Sequence, residues 1–347
     1  MNEETRPWCA PAALGRLLLT ALLVLALLCP AVTRAGAASL VPVGRAVGIK
    51  LYSDGVVVVG TSEIVTQSGK VNPAKACGLR EGDVITSINS TEVDTIEEVT
   101  ALLQAAAGEP VRILALRDDR QLNLTAQPAF CPADGCYKLG AWIRDSMAGI
   151  GTVTYYDPAT GAFGALGHGI NDTDTALLMP LESGMILPAS VAAVCRGERG
   201  KPGQLRGSFD TGTTLGLLAA NTSHGIFGTL NGAEFAGTPV ETARREEIRA
   251  GDAVILSNIA GEITEEYSVQ LVKVYPEGSS TDGRDFLLHV TDPRLLEATG
   301  GIVQGMSGSP ILQNGKLVGA VTHVMVDDPT EGYGIYIGRM LEESGIC

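Results

Sequence analysis

The segment Gly305–Pro310 combines the residue types that nucleophilic attack on a carbonyl requires. It reads Gly-Met-Ser-Gly-Ser-Pro. A serine hydroxyl can attack a carbonyl carbon when it projects from a tight turn and when backbone N–H groups stabilise the developing oxyanion. The glycine two residues before Ser307 lets an amide face that oxyanion, and Gly308 lets a substrate backbone come close. The alternative is an ordinary surface turn, since Gly, Ser and Pro are common in turns.

Four histidines could supply the general base that such a serine needs. His168 is the leading candidate, because glycines on both sides would leave its imidazole exposed. His224, which is followed by a glycine, is the second choice. His289 lies in a strand-like run where a structural role is expected, and His323 lies close to the C-terminus.

A carboxylate should complete such a site by holding the imidazole in one tautomer and stabilising the imidazolium. The aspartates of this region are Asp157, Asp172, Asp174, Asp210, Asp252 and Asp292. Residue chemistry does not choose among them, so the identity of the acid stays open at this level.

From Phe130 onward, short apolar runs alternate with Gly, Asp and Thr, and there is little helical periodicity. The serine segment leads into a strand, an Asn-Gly turn typical of a two-residue hairpin, and a second strand. Many short strands without intervening helices predict closed antiparallel barrels. The layout resembles that of chymotrypsin-like peptidases. In their chain order the catalytic histidine comes before the serine, as His168 does here. Their usual spacing would favour Asp210 as the acid. We therefore expect a double β-barrel peptidase domain over residues 129–347.

Residues 40–128 combine short strands with one predicted helix. Asp94 and Thr95 are residue types that can cap the start of a helix. Apolar residues recur at helical spacing over 96–103, so a helix is predicted to follow them. Ahead of that helix lies the string Gly-Leu-Arg-Glu-Gly-Asp-Val-Ile, which begins at Gly78. This succession resembles the PDZ domains of bacterial envelope proteases. The chain is thus predicted to be mostly β, with an N-terminal PDZ domain followed by the peptidase domain.

The PDZ resemblance implies a groove between one strand and the helix, where an extended peptide adds as an extra strand. Four residues match its carboxylate-binding loop and strand: Val47, Gly48, Ile49 and Leu51. Most of these apolar side chains would serve equally well in a core.

The length, net charge and cysteine and histidine spacing of the chain limit its domain number, partners and cofactors. A chain of 347 residues suggests two domains, and a formal net charge of −14 argues against nucleic acid as a partner. Cysteines and histidines do not stand at zinc-ligand spacing, so we expect neither a metal nor another cofactor. Cys131 and Cys136 bracket a turn short enough to be closed by a disulfide in an oxidising compartment.

Residues 1–38 have the pattern of an export segment. Arg16 precedes an uncharged apolar run over 17–28, and small residues follow around Ala35–Ala37. Twelve helical residues span roughly 18 Å, which is short of the roughly 30 Å hydrocarbon core. We expect either a cleaved signal peptide or a membrane anchor.

The whole arrangement resembles the stage IV sporulation protein B serine peptidases of endospore-forming bacteria. The shared features are the hydrophobic N-terminal segment, the PDZ domain, and the Gly-His-Gly and Gly-Met-Ser-Gly-Ser-Pro motifs. The resemblance implies Ser307 as the nucleophile, His168 as the base and Asp292, in Val-Thr-Asp-Pro, as the acid. Asp292 is closer to the serine than the chymotrypsin pattern places its acid. The amides of Gly305 and Ser307 would form the oxyanion hole.

The same resemblance implies a serine endopeptidase of sporulation signalling. It would be exported across the forespore membrane into the intermembrane space, either free or membrane-anchored. There it would cleave a membrane-bound regulator of a sigma-factor processing complex, and also itself, while the PDZ domain binds a peptide tail. Two alternatives remain open: a non-catalytic PDZ scaffold, and a general envelope quality-control protease.

Overall fold

The computed structural model describes residues 38–118, 120–233, 235–279 and 283–345. The predicted leader, residues 1–38, lies outside the described residues except for Ala38. Over the described ranges, no helix combines the length and the hydrophobicity that crossing a membrane requires.

Strands make up most of the described chain, so the mostly-β prediction is confirmed. In chain order they are β1 (Ser39–Pro42), β2 (Ala46–Thr61), β3 (Ile64–Thr66), β4 (Gly69–Val71), β5 (Val84–Ile88), β6 (Thr91–Glu92), β7 (Val111–Arg117), β8 (Arg120–Ala126), β9 (Ala129–Cys131), β10 (Cys136–Lys138), β11 (Ala141–Tyr156), β12 (Ala162–Ala165), β13 (Ser183–Cys195), β14 (Gln204–Phe209), β15 (Gly216–Thr222), β16 (Gly225–Leu230), β17 (Val240–Glu241), β18 (Gly251–Ala260), β19 (Ile263–Val274), β20 (Phe286–Val290), β21 (Pro310–Gln313), β22 (Lys316–Met325) and β23 (Asp328–Tyr336). The helices are α1 (Pro73–Cys77), α2 (Ile96–Ala106), α3 (Pro293–Thr299) and α4 (Ile337–Ser344), with a 3₁₀ turn at Arg245–Glu247.

The first barrel is a ring of antiparallel pairs that runs β2-β11-β12-β16-β15-β13 and returns to β2. The ring closes because β11 pairs with β2 from Ala141 to Thr152. Apolar side chains such as Phe163, Ile186 and Ile226 fill its core. Closure leaves few open strand edges in this part of the chain.

The second barrel is closed by β18-β19-β20-β23-β22-β21, with β21 pairing back onto β18. Its core includes the fully buried Tyr267, Leu271 and Phe286. The predicted hairpin turn connects β21 to β22, and both of its residues, Asn314 and Gly315, have positive φ (53° and 76°). Two closed barrels confirm the double β-barrel prediction.

The PDZ part consists of the end of β2 with β5, β7 and β8, covered by α1 and α2. Helix α2 begins as predicted, because Thr95 is its N-cap and forms a capping box with Glu98. Val99 and Leu103 of α2 pack on Ile85 of β5 in a shared apolar core. The local capping and periodicity signals therefore predicted this helix correctly.

The boundary predicted between the two domains needs correction. Strand β1 pairs with β11, and the first half of β2 lies between β11 and β13, so both belong to the first barrel. Only the second half of β2, at Val56 and Val57, pairs with β5 of the PDZ part. The PDZ part is therefore inserted into the first barrel between β2 and β11, instead of preceding a peptidase domain that starts at residue 129.

The same pairing corrects the predicted PDZ groove. Val47, Gly48, Ile49 and Leu51 are each flanked by β11 on one side and by β13 on the other. The three larger side chains are at most 4% exposed. A strand that is paired on both edges cannot accept a peptide as a further strand. The core interpretation of these residues is the correct one.

Candidate active site

Ser307 lies in the turn that leads from α3 into β21. Gly305 and Gly308 adopt the left-handed region there, with φ of 101° and 97°. A Cβ on Gly308 would lie 2.1 Å from the carbonyl oxygen of Thr152, so glycine is required where β11 meets the turn. Thr152 also holds the turn, because its Oγ1 donates to the Gly305 carbonyl over 2.8 Å and its N–H to the Ser307 carbonyl over 3.1 Å. Both barrels thus position the serine.

The backbone around Ser307 leaves two amides available. Within the described ranges, the N–H groups of Gly305 and Ser307 donate to no protein acceptor. Neighbouring amides are paired instead: Met306 donates to the Val303 carbonyl over 3.1 Å and Gly308 to the Val321 carbonyl over 2.8 Å. Two preorganised free amides beside a serine have the chemistry of an oxyanion hole.

His168 follows β12 through a turn in which Leu166 and Gly167 have positive φ (69° and 70°). Its Nδ1 lies 2.8 Å from the Gly169 carbonyl oxygen. Because a carbonyl only accepts, Nδ1 carries the proton in this contact and Nε2 keeps its lone pair. Burial lowers the pKa of His168 below its ordinary value. The residue is therefore a neutral imidazole at neutral pH, which is the form a general base needs.

His168 and Ser307 line the same cavity of about 410 Å³ between the two barrels. Ile49 and Leu166 contribute to the wall from the first barrel, and Thr322 contributes from the second. The structure thus brings together the two residues that the sequence paired as base and nucleophile.

The serine hydroxyl is engaged elsewhere in this state. Ser307 Oγ donates to the Thr322 carbonyl over 2.7 Å. Reaction with His168 would therefore require the Ser307 hydroxyl to leave the Thr322 carbonyl.

A second imidazole lines the cavity, that of His323, which the sequence did not favour as the base. The ring of His323 is centred 5.1 Å from that of His168, with 35° between their planes. Its position near the C-terminus argued against it. The predicted hairpin was the available signal, because pairing of β22 with β21 brings residues 322–323 next to the serine turn.

Asp292 occupies a different place from the one that the family resemblance implies. It is the N-cap of α3 and accepts from the backbone N–H of Arg294 over 2.9 Å and from that of Ser268 over 3.2 Å. The guanidinium of Arg294 also donates to both carboxylate oxygens and lowers the pKa of Asp292 to about 2. Asp292 does not line the cavity of His168. The geometry gives it a capping role instead of an orienting one.

The other candidate residues are also used structurally. Asp172 is buried and accepts from turn amides and from Arg144, while Asp210 closes an exposed turn. His224 pairs with Glu343 over 3.2 Å and lies outside the cavity. Across the part of the chain that the structure describes, no carboxylate hydrogen-bonds to His168, whose tautomer is held by the Gly169 carbonyl.

The structure offers little to a metal. Over the described ranges, His, Cys, Asp and Glu form no group of three or more that could hold an ion. Cys131 and Cys136 face each other across the β9–β10 hairpin, as the sequence spacing suggested, and both are free thiols. The Cys131 thiol donates to Asp134 over 2.8 Å.

Comparison with known families matches residues 135–341 to SpoIVB peptidase S55 and residues 64–117 to a PDZ domain. Val47–Leu51 lie outside both matched ranges.

One curated relative is the zinc metalloprotease RasP of Shouchella clausii (strain KSM-K16), 41% identical over 79 residues. That match covers 23% of this chain and 18% of the relative.

Solved structures with partial likeness include a PDZ domain and a protease. The PDZ domain of the SdrC-like protein from Listeria monocytogenes is 21% identical, covers 26% of this chain and 87% of its own, and has a TM-score of 0.21. The active form of the Rv3671c protease from M. tuberculosis is 14% identical, covers 57% of this chain and 75% of its own, and has a TM-score of 0.34. The family match spans more than half of the sequence. The chain therefore belongs to the SpoIVB peptidase S55 family of serine peptidases and carries a PDZ domain.

Proposed function

We propose that the protein is a serine endopeptidase in which Ser307 is the nucleophile and His168 the general base. The observation that carries this proposal is the shared cavity. It holds Ser307 and a neutral His168, and the free amides of Gly305 and Ser307 lie at its edge. These are the parts that acyl transfer requires: a nucleophile, a base and donors for the oxyanion.

The chemistry follows from those positions. The Ser307 hydroxyl turns from the Thr322 carbonyl to Nε2 of His168, which takes its proton as Oγ attacks the scissile carbonyl carbon. The amides of Gly305 and Ser307 stabilise the oxyanion. His168 then gives the proton to the leaving amine, and water, activated in the same way, releases the acyl group. The Gly169 carbonyl keeps Nδ1 protonated throughout, so Nε2 remains the reacting nitrogen.

We further propose that this activity serves sporulation signalling, which is supported by membership of the SpoIVB peptidase S55 family. The enzyme would be exported across the forespore membrane into the intermembrane space, where it is either free or membrane-anchored. The substrate would be a membrane-bound regulator of a sigma-factor processing complex, and the chain would also cleave itself. A general quality-control protease would instead degrade unfolded proteins broadly, so digestion of unfolded casein at a rate similar to that of the regulator would reject the signalling role.

Covalent labelling tests the catalytic proposal. A fluorophosphonate probe should label the wild-type protein at Ser307, as located by mass spectrometry, and Ser307→Ala should abolish the label. Ser208→Ala, at an exposed serine of β14, is the matched control and should label at the wild-type rate. Loss of the nucleophile should lower peptidase turnover by roughly 10⁴-fold or more. Labelling at another serine, or wild-type turnover by Ser307→Ala, would refute Ser307 as the nucleophile, whereas a wild-type protein with neither labelling nor turnover would favour the non-catalytic scaffold.

A further inference from the structure

The second barrel supplies one wall of the catalytic cavity. Its part runs over 302–305, just before Ser307, and over 322–324 near the end of β22. The first barrel supplies the opposite wall, which includes Ile49, His168 and Ile170. The cavity thus has two halves, and the general base belongs to the first-barrel half.

The base and the free amides set which half holds which part of a substrate. The scissile carbonyl oxygen must point at the amides of Gly305 and Ser307, and the leaving nitrogen must face His168 to receive its proton. The substrate residue that supplies the carbonyl, called here the acyl residue, carries its side chain on the carbon next to the attacked one. We therefore expect this side chain beside 302–304 and 322–324, in the second-barrel half.

Ile302 fills the depth of the second-barrel half. Its side chain is 2% exposed and reaches β23 at Gly332, where a Cβ would lie 2.6 Å from Ile302 Cδ1. Gly332 pairs with Val324 between β22 and β23, and the half-buried Val324 packs against the core cluster that contains Ile302. The Ile302 N–H also donates to the Pro329 carbonyl of β23 over 2.8 Å. The space above Gly332 is therefore already occupied, and the bottom of this half is closed.

The second-barrel half is also poor in charge. In the described chain, the residues that line the whole cavity include no Asp, Glu, Lys or Arg. Gln304 is exposed and uncharged, and the ring of His323 lies against that of His168, with centres 5.1 Å apart. A charged acyl side chain would lose water in this half without gaining a permanently charged partner, which is strongly unfavourable. Shape and polarity both favour a short apolar side chain.

We propose that the acyl residue of the substrate is small and aliphatic, of the size of Ala or Val, and that Ile302 is the residue that sets this limit. A short apolar side chain fits against Ile302 and Val324, whereas Leu or Phe would need the space that Ile302 occupies. Because protein interiors are close packed, even one extra methylene matters there. This inference names the substrate class of the proposed peptidase and rests on that proposed function.

Peptidyl diphenyl phosphonates that differ only in the acyl side chain test the size limit on the wild-type full chain. Ser307 Oγ attacks phosphorus and displaces phenoxide, so the rate of inactivation reports how well each side chain fits. The Val analogue should inactivate about tenfold or more faster than the Phe, Lys and Glu analogues. A Phe or Lys analogue that reacts as fast as Val overturns the proposal. A faster Glu analogue also overturns it, and would assign the selection to His323.

Substitution of Ile302 tests whether this residue sets the limit. Ile302→Ala opens the space above Gly332, so the Phe analogue should gain about tenfold or more in rate relative to the Val analogue. Ile302→Val removes only the Cδ1 carbon, disturbs the core less, and should shift the same ratio in the same direction by about threefold. Ile255→Ala, at a buried core residue of the second barrel outside the cavity, is the matched control and should keep the wild-type ratio. An unchanged ratio in the Ile302 variants overturns the assignment.

The fluorophosphonate probe carries no acyl side chain and therefore separates the two possible failures. If it labels Ser307 while the phosphonate rates show no preference for Val, the size limit is refuted and the peptidase stands. If neither reagent reacts with the wild-type protein, the proposed function fails, and the size limit fails with it.

Discussion

Replacing Asp292 by Asn separates two roles that this carboxylate could have. If Asp292 oriented His168, the change would lower activity by roughly 10⁴-fold and hardly affect folding. The structure instead shows a helix cap bound to Arg294 and Ser268. Asn still offers an oxygen that can cap α3, but the substitution removes the negative charge that attracts the Arg294 guanidinium. We therefore expect a loss of stability with little loss of activity.

The pKa of Asp292 gives the magnitude. Its fall from 3.8 to about 2 corresponds to about 2.4 kcal/mol of stabilisation of the charged form in the folded protein. The Arg294 side chain is 59% exposed, so solvent screening reduces the expected loss to about 1–2 kcal/mol. Because the folded pKa is the lower one, this stabilisation is present above about pH 4 and disappears as the pH falls toward 2.

Urea unfolding followed by circular dichroism, together with the rate of fluorophosphonate labelling, checks this expectation. At pH 7, the free energy of unfolding of Asp292→Asn should be about 1–2 kcal/mol lower than that of wild type. Its labelling rate should stay within about threefold of the wild-type rate. Asp54→Asn, at an exposed aspartate, is the control and should unfold within about 0.5 kcal/mol of wild type. A labelling rate reduced about 1,000-fold with unchanged unfolding would refute the capping role and make Asp292 the acid.

Two further predictions concern the base and the serine turn. Burial lowers the pKa of His168 from its ordinary value of 6.5. The rate of Ser307 labelling should therefore decrease only as the pH falls below 6.5. A midpoint above 6.5 in the pH–rate profile would contradict a buried neutral base. Gly308→Ala should destabilise the protein by more than about 3 kcal/mol and abolish labelling. The new Cβ would lie 2.1 Å from the Thr152 carbonyl oxygen, and alanine would have to adopt the positive φ of this position. Gly315→Ala, also at positive φ but with no atom within 4 Å of its Cβ, should lose only about 1–2 kcal/mol in urea unfolding; equal losses for both would exclude the clash as the cause.

Features that depend on neighbouring residues were predictable. Asp94 and Thr95 predicted the start of α2, the Asn314–Gly315 pair predicted the hairpin of the second barrel, and the glycines around Ser307 predicted a tight turn. Each of these is a short-range preference of the backbone that the surrounding residues already satisfy. The glycines beside His168, the order of His168 and Ser307 along the chain and the family resemblance also predicted that these two residues share a site, and they line the same cavity.

Partners distant in the chain were not predictable. The PDZ resemblance placed Val47–Leu51 in a loop and strand beside a groove, but a strand pattern does not say which strands lie beside it. Likewise, Asp292 and Asp210 carry the same chemical group, and only their surroundings show that one caps α3 and the other closes a turn.

The sequence alone therefore predicted the residues proposed for acyl transfer, and it determined the β-rich class of the fold and the presence of a PDZ part. Only the tertiary structure decided that β11 joins the two parts, that the serine hydroxyl rests on Thr322 and that a carbonyl holds the imidazole of His168. The physical reason is that strand pairing and side-chain contacts depend on which distant segments meet when the barrels close, whereas turns and caps depend on residues a few positions apart.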